Sequence, residues 1–486
     1  MGRNDLLPLE QHRLLIDGRH VAAAAGRSFE TIDPATEQPI AAVAEADAAD
    51  VDAAVASARR ALAGPWGHMR AADRGRVLHR LANLIELHAD ELAALESRDA
   101  GKPISAVLRQ DLPAAIDTLR YYAGWADKIN GQVIPARPDA LTYTVREPVG
   151  VVGAIVPWNF PLMIGMWKVA PALACGCTVV LKPAEITPLS ALRVGDLALE
   201  AGLPPGVLNV VPGFGKSAGR ALVDHPDIDK VTFTGSPAVG REVLAGAAGN
   251  LKRVTLELGG KSANVIFADA DLDAAVKAAS AGIFFNTGQV CSAGSRILVQ
   301  AEIYDEVVER LTARAKSIRV GSPAERSTAM GPIVSQAQMA RVLDYIAIGV
   351  REGASLVTGG RRLDGPGYFV GPTVFANVDH DMRISQEEIF GPVVSVVRFE
   401  DEDDAITKAN GTRYSLAAGV WSRDIGRVHR FATRVKAGTV WINTYGYTDI
   451  RLPWGGARDS GYGREHGDAA IENFTEPKAV WMNLAG

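Results

Sequence analysis

The sequence predicts a mixed α/β protein built on a parallel, doubly wound sheet. Short runs of branched apolar residues, as expected of buried parallel strands, occur at 150–156, 178–181, 207–211 and 230–233. Helix-like runs separate them, and this regular alternation is typical of βαβ units. The length of 486 residues is sufficient for two or three domains with substantial cores.

Helices dominate the region before this sheet. Apolar residues recur at helical spacing over 47–63, which predicts a first helix. A second helix is predicted over 72–100, because Gly101 and Pro103 supply a cap and a breaker at its end. A third helix is predicted over 111–130.

Three further elements complete the prediction. Residues 132–145 alternate loosely around two prolines, as expected of a protruding strand pair. A second α/β region begins near Gly259, and a helix over 271–285 leads into the next loop. Residues 470–483 are predicted to form a strand that leaves the main body.

Composition excludes several classes of protein. Hydrophobic residues make up 47% and charged residues 22%, which is typical of a globular chain and not of a disordered one. The net charge of −5 argues against a nucleic-acid partner, which usually requires a basic surface. Three cysteines in so long a chain favour a reducing compartment over a disulfide framework.

No segment is predicted to target or enter a membrane. The N-terminus, at 1–5, has early acidic charge and no signal-peptide core. The most apolar stretch, 149–181, is interrupted by three prolines and would place Asn159 and Lys168 in the bilayer. We therefore expect a soluble, cytoplasmic protein without membrane contact.

Three segments together indicate covalent catalysis on a carbonyl. Cys291 lies in a short loop rich in Gly and Ser, Glu257 precedes a glycine pair, and Asn159 lies between two prolines. A thiol nucleophile, a carboxylate base and an amide donor for an oxyanion are the groups that such catalysis requires. The sequence therefore predicts an enzyme.

The alternative for any lone cysteine is a small buried hydrophobe. Cys175 and Cys177 are assigned to that class, because no second Cys or His pair accompanies their C-x-C spacing. The nine histidines show no ligand spacing, so no metal site is predicted. Cys291 differs because its loop is polar.

Six segments in one order carry a family resemblance, and such a series is a specific signal. The chain resembles the NAD(P)-dependent aldehyde dehydrogenases of the non-acylating, hydrolytic type. The segments are Pro157–Pro161, Lys182–Glu185, Phe233–Gly240, Glu257–Lys261, Gly288–Cys291 and Glu388–Pro392.

The resemblance implies a domain plan and an oligomer. A Rossmann-type NAD-binding domain would comprise 1–125 and 147–258, and an α/β catalytic domain 259–457. A small protruding strand unit, 126–146 with 470–486, would serve oligomerisation. The expected assembly is a homodimer or a homotetramer.

The same resemblance places the cofactor. A parallel sheet that ends in glycine loops can present backbone N–H groups to a diphosphate. The Glu185 carboxylate would accept hydrogen bonds from a ribose 2′-OH and repel a 2′-phosphate, so NAD is favoured over NADP. The expected cofactor-binding residues are Ile155, Val156, Trp158, Lys182, Glu185, Gly215, Phe233, Gly235, Ser236, Leu258, Glu388 and Phe390.

The resemblance also implies a reaction. Cys291 would attack the aldehyde, and Asn159 with the Cys291 N–H would stabilise the thiohemiacetal oxyanion. After hydride transfer to the nicotinamide, Glu257 would activate water to hydrolyse the thioester. Relatives that pass the acyl group to coenzyme A generally lack this glutamate. Lys168 resembles a lysine that organises the site, with a buried structural ion pair as the alternative.

The sequence does not define the chemical class of the aldehyde. Phe160, Trp167 and Trp454 align with positions that line the family's aldehyde tunnel, which implies an apolar or aromatic aldehyde. A cationic aldehyde held by ring faces is the alternative, since Trp454 is similar to betaine- and amino-aldehyde dehydrogenases. A further alternative is a non-catalytic relative that only binds dinucleotide.

Overall fold

The structure is a computed structural model that describes residues 10–484. The expectations for residues 1–5 lie outside this range, as do the ends of the predicted segments 1–125 and 470–486. The strands are β1 Glu10–His12, β2 Leu14–Ile16, β3 Arg19–Val21, β4 Ser28–Asp33, β5 Gln38–Ala44, β6 Ala140–Pro148, β7 Val151–Ile155, β8 Thr178–Lys182, β9 Leu208–Val210, β10 Lys230–Thr234, β11 Arg253–Glu257, β12 Ala263–Ile266, β13 Arg296–Gln300, β14 Ser355–Thr358, β15 Thr373–Ala376, β16 Val393–Phe399, β17 Ala417–Trp421, β18 Thr439–Ile442, β19 Gly461–Tyr462 and β20 Thr475–Asn483.

The helices complete the architecture. They are α1 Ala48–Ala63, α2 Ala71–Leu87, α3 Ala89–Ala100, α4 Ile104–Ala106, α5 Leu112–Trp125, α6 Pro161–Ala174, α7 Leu189–Glu200, α8 Arg220–Asp224, α9 Pro237–Ala247, α10 Leu272–Phe284, α11 Tyr304–Ser317, α12 Gln336–Arg351, α13 Arg383–Gln386, α14 Glu402–Asn410, α15 Ile425–Arg434 and α16 Ala469–Phe474.

The first sheet is doubly wound, as predicted. Its eight strands lie in the order β19-β11-β10-β7-β8-β9-β2-β3, and the five central strands from β11 to β9 are parallel. The chain runs outward from β7 through β8 to β9 and then returns to the other side of β7 with β10 and β11. Ligands of such sheets bind where the strand order reverses, so the β7–β10 boundary marks the expected crevice.

A second sheet of seven strands forms the other α/β region. Its order is β14-β15-β16-β13-β12-β17-β18, and all neighbours are parallel except the β14–β15 pair. The sheet begins at β12, shortly after Gly259, which agrees with the predicted start of this region. A small three-stranded sheet, β1-β5-β4, lies outside both.

The protruding strand unit differs from the prediction. Residues 132–145 form only a short antiparallel contact of their own, with an isolated bridge between Val133 and Tyr143 and one backbone hydrogen bond on either side of it. The partner of β6 is instead β20, which runs antiparallel to it from the Thr475–Pro148 pair to the Asn483–Ala140 pair. The start of the predicted C-terminal strand is helix α16. We call β6 and β20 together the arm.

The predicted helix over 72–100 is two helices. Helix α2 ends at Leu87 and α3 begins at Ala89, with His88 between them at φ −96° and ψ 20°. The His88 ring Nδ1 lies 2.7 Å from Glu91 Oε2 in the first turn of α3. This local contact favours a new helix start in the middle of a continuous apolar pattern.

Helix α6 crosses the core behind the crevice and is buried along its whole length. Its first turn is capped from α3, because Leu162 N donates to Glu96 Oε2 over 3.1 Å. Burial raises the pKa of Glu96 to about 8. Within residues 10–484, no helix combines the length and apolarity needed to cross a bilayer.

Candidate active site

The ends of three neighbouring parallel strands define the site. Strand β7 ends at Ile155, β10 at Thr234 and β11 at Glu257, and β10 pairs in register with both others. Because parallel strands expose their carboxyl ends at one edge, the segments that follow them meet there. The predicted residues between 155 and 160, 233 and 236, and 257 and 258 are thereby brought to one crevice.

Helix α10 delivers Cys291 to the same crevice through a tight turn. After α10 the backbone is left-handed at Asn286 (φ 47°), Thr287 (φ 58°) and Gly288 (φ 71°). A Cβ on Gly288 would lie 2.0 Å from the Gly391 carbonyl oxygen, so only glycine fits this approach. Such a run of left-handed residues costs conformational energy, and it occurs directly before the predicted nucleophile.

Asn159 is joined to this turn by hydrogen bonds. Its Nδ2 donates to Gln289 O over 2.9 Å, and Asn286 Nδ2 donates to Asn159 O over 3.0 Å. An amide nitrogen carries two N–H groups, so one donor of Asn159 holds the loop and the second stays available. The predicted oxyanion donor is therefore fixed relative to the Cys291 loop.

Glu257 is buried in the protein interior without polar partners for its carboxylate among the described residues. Its exposure is 5%, and neither carboxylate oxygen has a hydrogen-bond partner among residues 10–484. A Cβ on Gly455 would lie 2.4 Å from Glu257 Oε1, so glycine is required beside it. Burial and the Glu465 charge raise the pKa of Glu257 well above its usual value, while Lys168 and Arg464 oppose the rise.

Lys168 forms a buried ion pair, the alternative considered from sequence. Its Nζ contacts Glu465 Oε1 and donates to Thr232 Oγ1 over 3.2 Å. This pair lies near Glu257, since both of its charges influence the Glu257 carboxyl. The ion pair is therefore structural, and its two charges act on the Glu257 carboxyl in opposite directions.

Cys291 is half-buried as a residue, and two carboxylates act on its thiol. Burial of the sulfur, together with the Glu257 and Glu388 carboxylates, raises its pKa to about 12. Cys175 and Cys177 are fully buried instead, and burial raises the Cys177 pKa to about 11. Cys291 is therefore the one cysteine with access to a ligand.

The cleft beside Cys291 suits a dinucleotide. Ser236 caps helix α9 by accepting a hydrogen bond from Val239 N over 3.3 Å, which places the helix N-terminus at the crevice. Ile155, Val156, Phe233 and Leu258 are buried at its base. Gly235 packs under the Phe233 ring, because a Cβ there would lie 2.5 Å from that ring.

Lys182 and Glu185, the two residues expected from sequence to contact the ribose, lie beside each other. Lys182 Nζ donates to Pro183 O over 2.8 Å and lies 3.6 Å from Glu185 Oε2. Burial lowers the pKa of Lys182, whereas the Glu185 carboxylate is partly exposed. Gly215 stands exposed at the start of a helical turn, with open space where its side chain would be.

Glu388 and Phe390, expected from sequence at the nicotinamide, lie against the segments that follow β11 and β7. Glu388 Oε1 accepts a hydrogen bond from Gly260 N over 3.0 Å, and burial raises the pKa of Glu388 to about 7. Phe390 is left-handed at φ 61° and packs edge to face on Trp158 at 5.1 Å. The cleft combines an aromatic slot, a helix N-terminus and buried carboxylates. Together these groups fit a nicotinamide dinucleotide.

Several aromatic rings and Cys291 belong to one buried hydrophobic cluster. Trp167 lies 6.2 Å from Trp454, and Phe160 stacks on Phe285 at 6.2 Å. Trp441 adds a third indole, 6.4 Å from Trp454. Trp167 and Trp454 are thus neighbours, whereas Phe160 pairs with Phe285, and Phe285, Trp441 and Glu465 were not anticipated. Their sequence neighbours carry no motif, because long-range packing alone brings them here.

Comparison with known proteins decides the identity. The model of the "Aldehyde dehydrogenase family" matches residues 20–480. The chain belongs to the aldehyde dehydrogenase family. The predicted family and α/β fold are therefore confirmed.

Named relatives support this enzyme class along nearly the whole chain. An aldehyde dehydrogenase of Emericella nidulans is 52% identical over 472 residues, or 97% of this chain and 95% of the relative. The solved NAD+ complex of the Bacillus cereus aldehyde dehydrogenase is 51% identical, with a TM-score of 0.97 over 98% of this chain and 97% of that one.

A third similar protein is named for an indole aldehyde. A mutant of the P. syringae indole-3-acetaldehyde dehydrogenase AldA, solved with NAD+ and IAA, is 45% identical to this aldehyde dehydrogenase. Its TM-score is 0.96, and the match covers 99% of this chain and 98% of that one. The protein is thus an aldehyde dehydrogenase that binds a nicotinamide dinucleotide, and the non-catalytic alternative is discarded.

Proposed function

We propose that this aldehyde dehydrogenase converts its aldehyde to the carboxylic acid through a covalent intermediate on Cys291. The observation that carries the proposal is the shared crevice of Cys291 and Glu257, close enough for the Glu257 charge to act on the thiol. A nucleophile and a base in one buried pocket can perform acylation and hydrolysis in turn.

The chain's own groups account for each step at the thiol. The thiolate of Cys291 attacks the aldehyde carbon, and the carbonyl oxygen becomes an oxyanion. The free N–H of Asn159 Nδ2 and the backbone N–H of Cys291 stabilise that charge, each contributing about 3 kcal/mol. Bound NAD supplies the acceptor for the hydride that the substrate carbon loses. A thioester then remains on Cys291.

Glu257 supports hydrolysis as the second half of the reaction. Both of its oxygens lack protein partners within the described chain, so they can accept a hydrogen bond from water. A raised carboxyl pKa makes Glu257 a stronger base than an exposed glutamate. Lys168 is proposed to act through its Glu465 pair by tuning this carboxyl.

NAD is the proposed cofactor, with NADP disfavoured. The Glu185 carboxylate stands partly exposed beside Lys182 at the predicted ribose position. The negative charge of Glu185 opposes a 2′-phosphate on the ribose, whereas Lys182 alone would favour one. The short distance of 3.6 Å between the two side chains offsets the lysine charge.

An apolar or aromatic aldehyde is the proposed substrate. Phe160, Trp167 and Trp454 line the proposed tunnel, and rings of this kind bury flat apolar ligands. The indole aldehyde in the name of the similar AldA structure supports an aromatic substrate here.

A cationic aldehyde is the second candidate. The ring faces of Trp167 and Trp454 could hold an ammonium group. Arg451 is close to Trp454 in sequence and an unpaired arginine there would repel it, but Arg451 is paired with Asp449 over 2.8 Å. The charge near the tunnel is therefore balanced, which keeps the betaine- or amino-aldehyde specialist as a testable alternative.

The arm is proposed to hold a homodimer or homotetramer together. Its strands carry exposed apolar side chains, including Leu141, Trp481 and Met482. An exposed apolar patch of this kind on a strand edge favours association with a second copy. All three cysteines are free, in keeping with a cytoplasmic location.

A substrate panel tests the proposed function. NADH formation is measured with NAD and NADP against aliphatic, aromatic, carboxylated and trimethylammonium aldehydes. Turnover with NAD that disappears in Cys291→Ala is expected, and Glu257→Gln should give a burst of NADH followed by slow turnover. Normal steady turnover by Glu257→Gln would exclude Glu257 as the base.

A further inference from the structure

His466 is a buried histidine that the reaction does not use. It is 3% exposed, and its ring packs edge to face on Trp167 with 4.1 Å between the ring centroids. Its Nε2 has no hydrogen-bond partner in the described part of the chain. Its backbone is left-handed at φ 66°, a conformation that costs energy for most residues. A buried residue with a strained backbone, next to a proposed binding pocket, is a candidate for a functional role.

The position of His466 follows from its neighbour. Glu465 contacts Lys168, and His466 contacts Trp167. Residues 465 and 466 thus both pack against helix α6. The Glu465 backbone also pairs with Trp454, with 2.6 Å from Trp454 N to Glu465 O and 2.8 Å in the opposite direction. Residues 465 and 466 therefore connect the ion pair near Glu257 with the indoles of the tunnel.

The Trp167 indole is buried and contacts two other rings. It lies 6.2 Å from Trp454 at an interplanar angle of 59°, a looser contact than the one with His466. Edge-to-face contacts fix ring orientation because the positive edge of one ring faces the negative surface of the other. Loss of the His466 ring would leave room for the indole to turn into the tunnel.

We propose that His466 is a positioning residue for the aldehyde tunnel, holding the Trp167 indole at the angle that admits a ring-bearing aldehyde. The inference rests on the proposed tunnel and on Cys291 chemistry. The imidazole acts by shape and ring contact, without touching the aldehyde. The ring therefore determines which aldehydes enter the tunnel. The turnover of a two-carbon aldehyde does not depend on it.

Two variants separate the ring from the backbone. His466→Asn removes the ring while keeping a residue that tolerates left-handed backbone. His466→Phe keeps a ring of similar outline and removes both nitrogens. Steady-state kcat and KM are measured with phenylacetaldehyde and with acetaldehyde at saturating NAD.

A specific pattern is expected. His466→Asn should lower kcat/KM for phenylacetaldehyde about fivefold, mainly through KM, and change acetaldehyde by less than about twofold. His466→Phe should restore the phenylacetaldehyde value. The KM for NAD should stay unchanged in both variants. If His466 had a purely structural role, its replacement would lower kcat/KM for both aldehydes alike.

A double-variant cycle tests the same contact from the other side. In a Trp167→Leu background, which has no indole to hold, His466→Phe and His466→Asn should behave alike. Equal losses for both aldehydes, no change for either, or additive effects with Trp167→Leu would overturn the proposal. If His466→Asn does not fold, His466→Phe in the two backgrounds decides the outcome. Absence of turnover by the unaltered enzyme on every aldehyde would instead refute the proposed function.

Discussion

Lys168 and Glu465 form a buried ion pair although 297 positions separate them in the chain. The pair places one positive and one negative charge near the Glu257 carboxyl, and the two act on its pKa in opposite directions. The proposed base is therefore tuned by a balance that either partner can disturb.

Removal of each partner should move the acid limb of the kcat–pH profile in opposite directions. Lys168→Met leaves Glu465 alone, raises the Glu257 pKa and moves the limb to higher pH. Glu465→Gln leaves Lys168 alone and moves the limb to lower pH. Steady-state rates from pH 5 to 10 provide the measurement.

An exposed lysine on α10 provides the control for this experiment, since Lys277→Met should move neither limb. Lys168→Met should also lower the free energy of unfolding by about 3 kcal/mol, because it leaves a buried charge unpaired. Shifts in the same direction for both partners would contradict the electrostatic account.

The Cys291 thiol of the free enzyme should react slowly with iodoacetamide near neutral pH. With a pKa of about 12, about one thiol in ten thousand is ionised at pH 8. The alkylation rate, followed by mass spectrometry, should keep rising beyond pH 10. A plateau near pH 8 would refute the raised pKa.

Glu388→Gln removes one of the charges that raise the thiol pKa and should accelerate alkylation at pH 8. Glu387→Gln is the matched control, because the Glu387 carboxylate is paired with Arg383 over 3.0 Å. Cys291→Ala identifies the reacting site.

Replacement of Glu185 should weaken the preference for NAD. Glu185→Gln removes the charge that opposes a 2′-phosphate and leaves Lys182 to attract one. The ratio of kcat/KM for NADP to that for NAD is expected to rise about tenfold. Glu200→Gln, at an exposed position at the end of α7, should leave the ratio unchanged. An unchanged ratio in Glu185→Gln would place cofactor selection elsewhere.

Acid should destabilise the enzyme partly through His466. Burial lowers the pKa of His466 to about 3, despite the opposing charge of Asp449. Between its ordinary pKa of about 6.5 and pH 3, the unfolded chain binds a proton that the folded chain does not, so stability falls as pH falls. At pH 5 this loss amounts to about 2 kcal/mol.

His466→Phe should therefore lose less stability than the unaltered enzyme when the pH drops from 7 to 5. Urea unfolding at both pH values provides the measurement. His68→Phe, at an exposed position, should behave like the unaltered enzyme. Identical pH sensitivity in all three proteins would show that His466 is not the buried neutral group.

A charge on the arm should dissociate the proposed oligomer. Trp481 is 63% exposed, so Trp481→Glu should keep the fold and prevent contact with a second copy. Light scattering after gel filtration should then give the mass of one chain. Leu87→Glu serves as the matched control, since Leu87 is 77% exposed at the end of α2 and away from the arm. An oligomer that survives Trp481→Glu would refute the arm as the interface.

The sequence was most informative where function is carried by contiguous residues. The strand ends near Ile155 and Thr234 were predicted because buried parallel strands are short apolar runs, whereas Glu257 was predicted from the glycine pair that follows it and not from its strand. Cys291 was predicted because its polar loop interrupts an otherwise apolar pattern. In each case a local signal and a local structure coincide.

Long-range contacts were not predictable in this way. Glu465 and His466 lie in a segment without apolar periodicity, and only the folded chain places them against Lys168 and Trp167. The strand partner of β6 was missed for the same reason, since it lies more than 300 residues later. The helix break at His88 depends on one local contact that a continuous apolar stripe conceals.

Strand β19 pairs with β11, the strand that ends in Glu257, and β20 completes the arm from the same late part of the chain. During synthesis on the ribosome, β11 therefore emerges about 200 residues before its edge partner. Until then the nascent chain presents an unpaired strand edge, which favours aggregation. Translation that stops before Gly461 would yield a chain whose first sheet is open beside its proposed base, so this enzyme completes its fold only when almost all of its chain has been made.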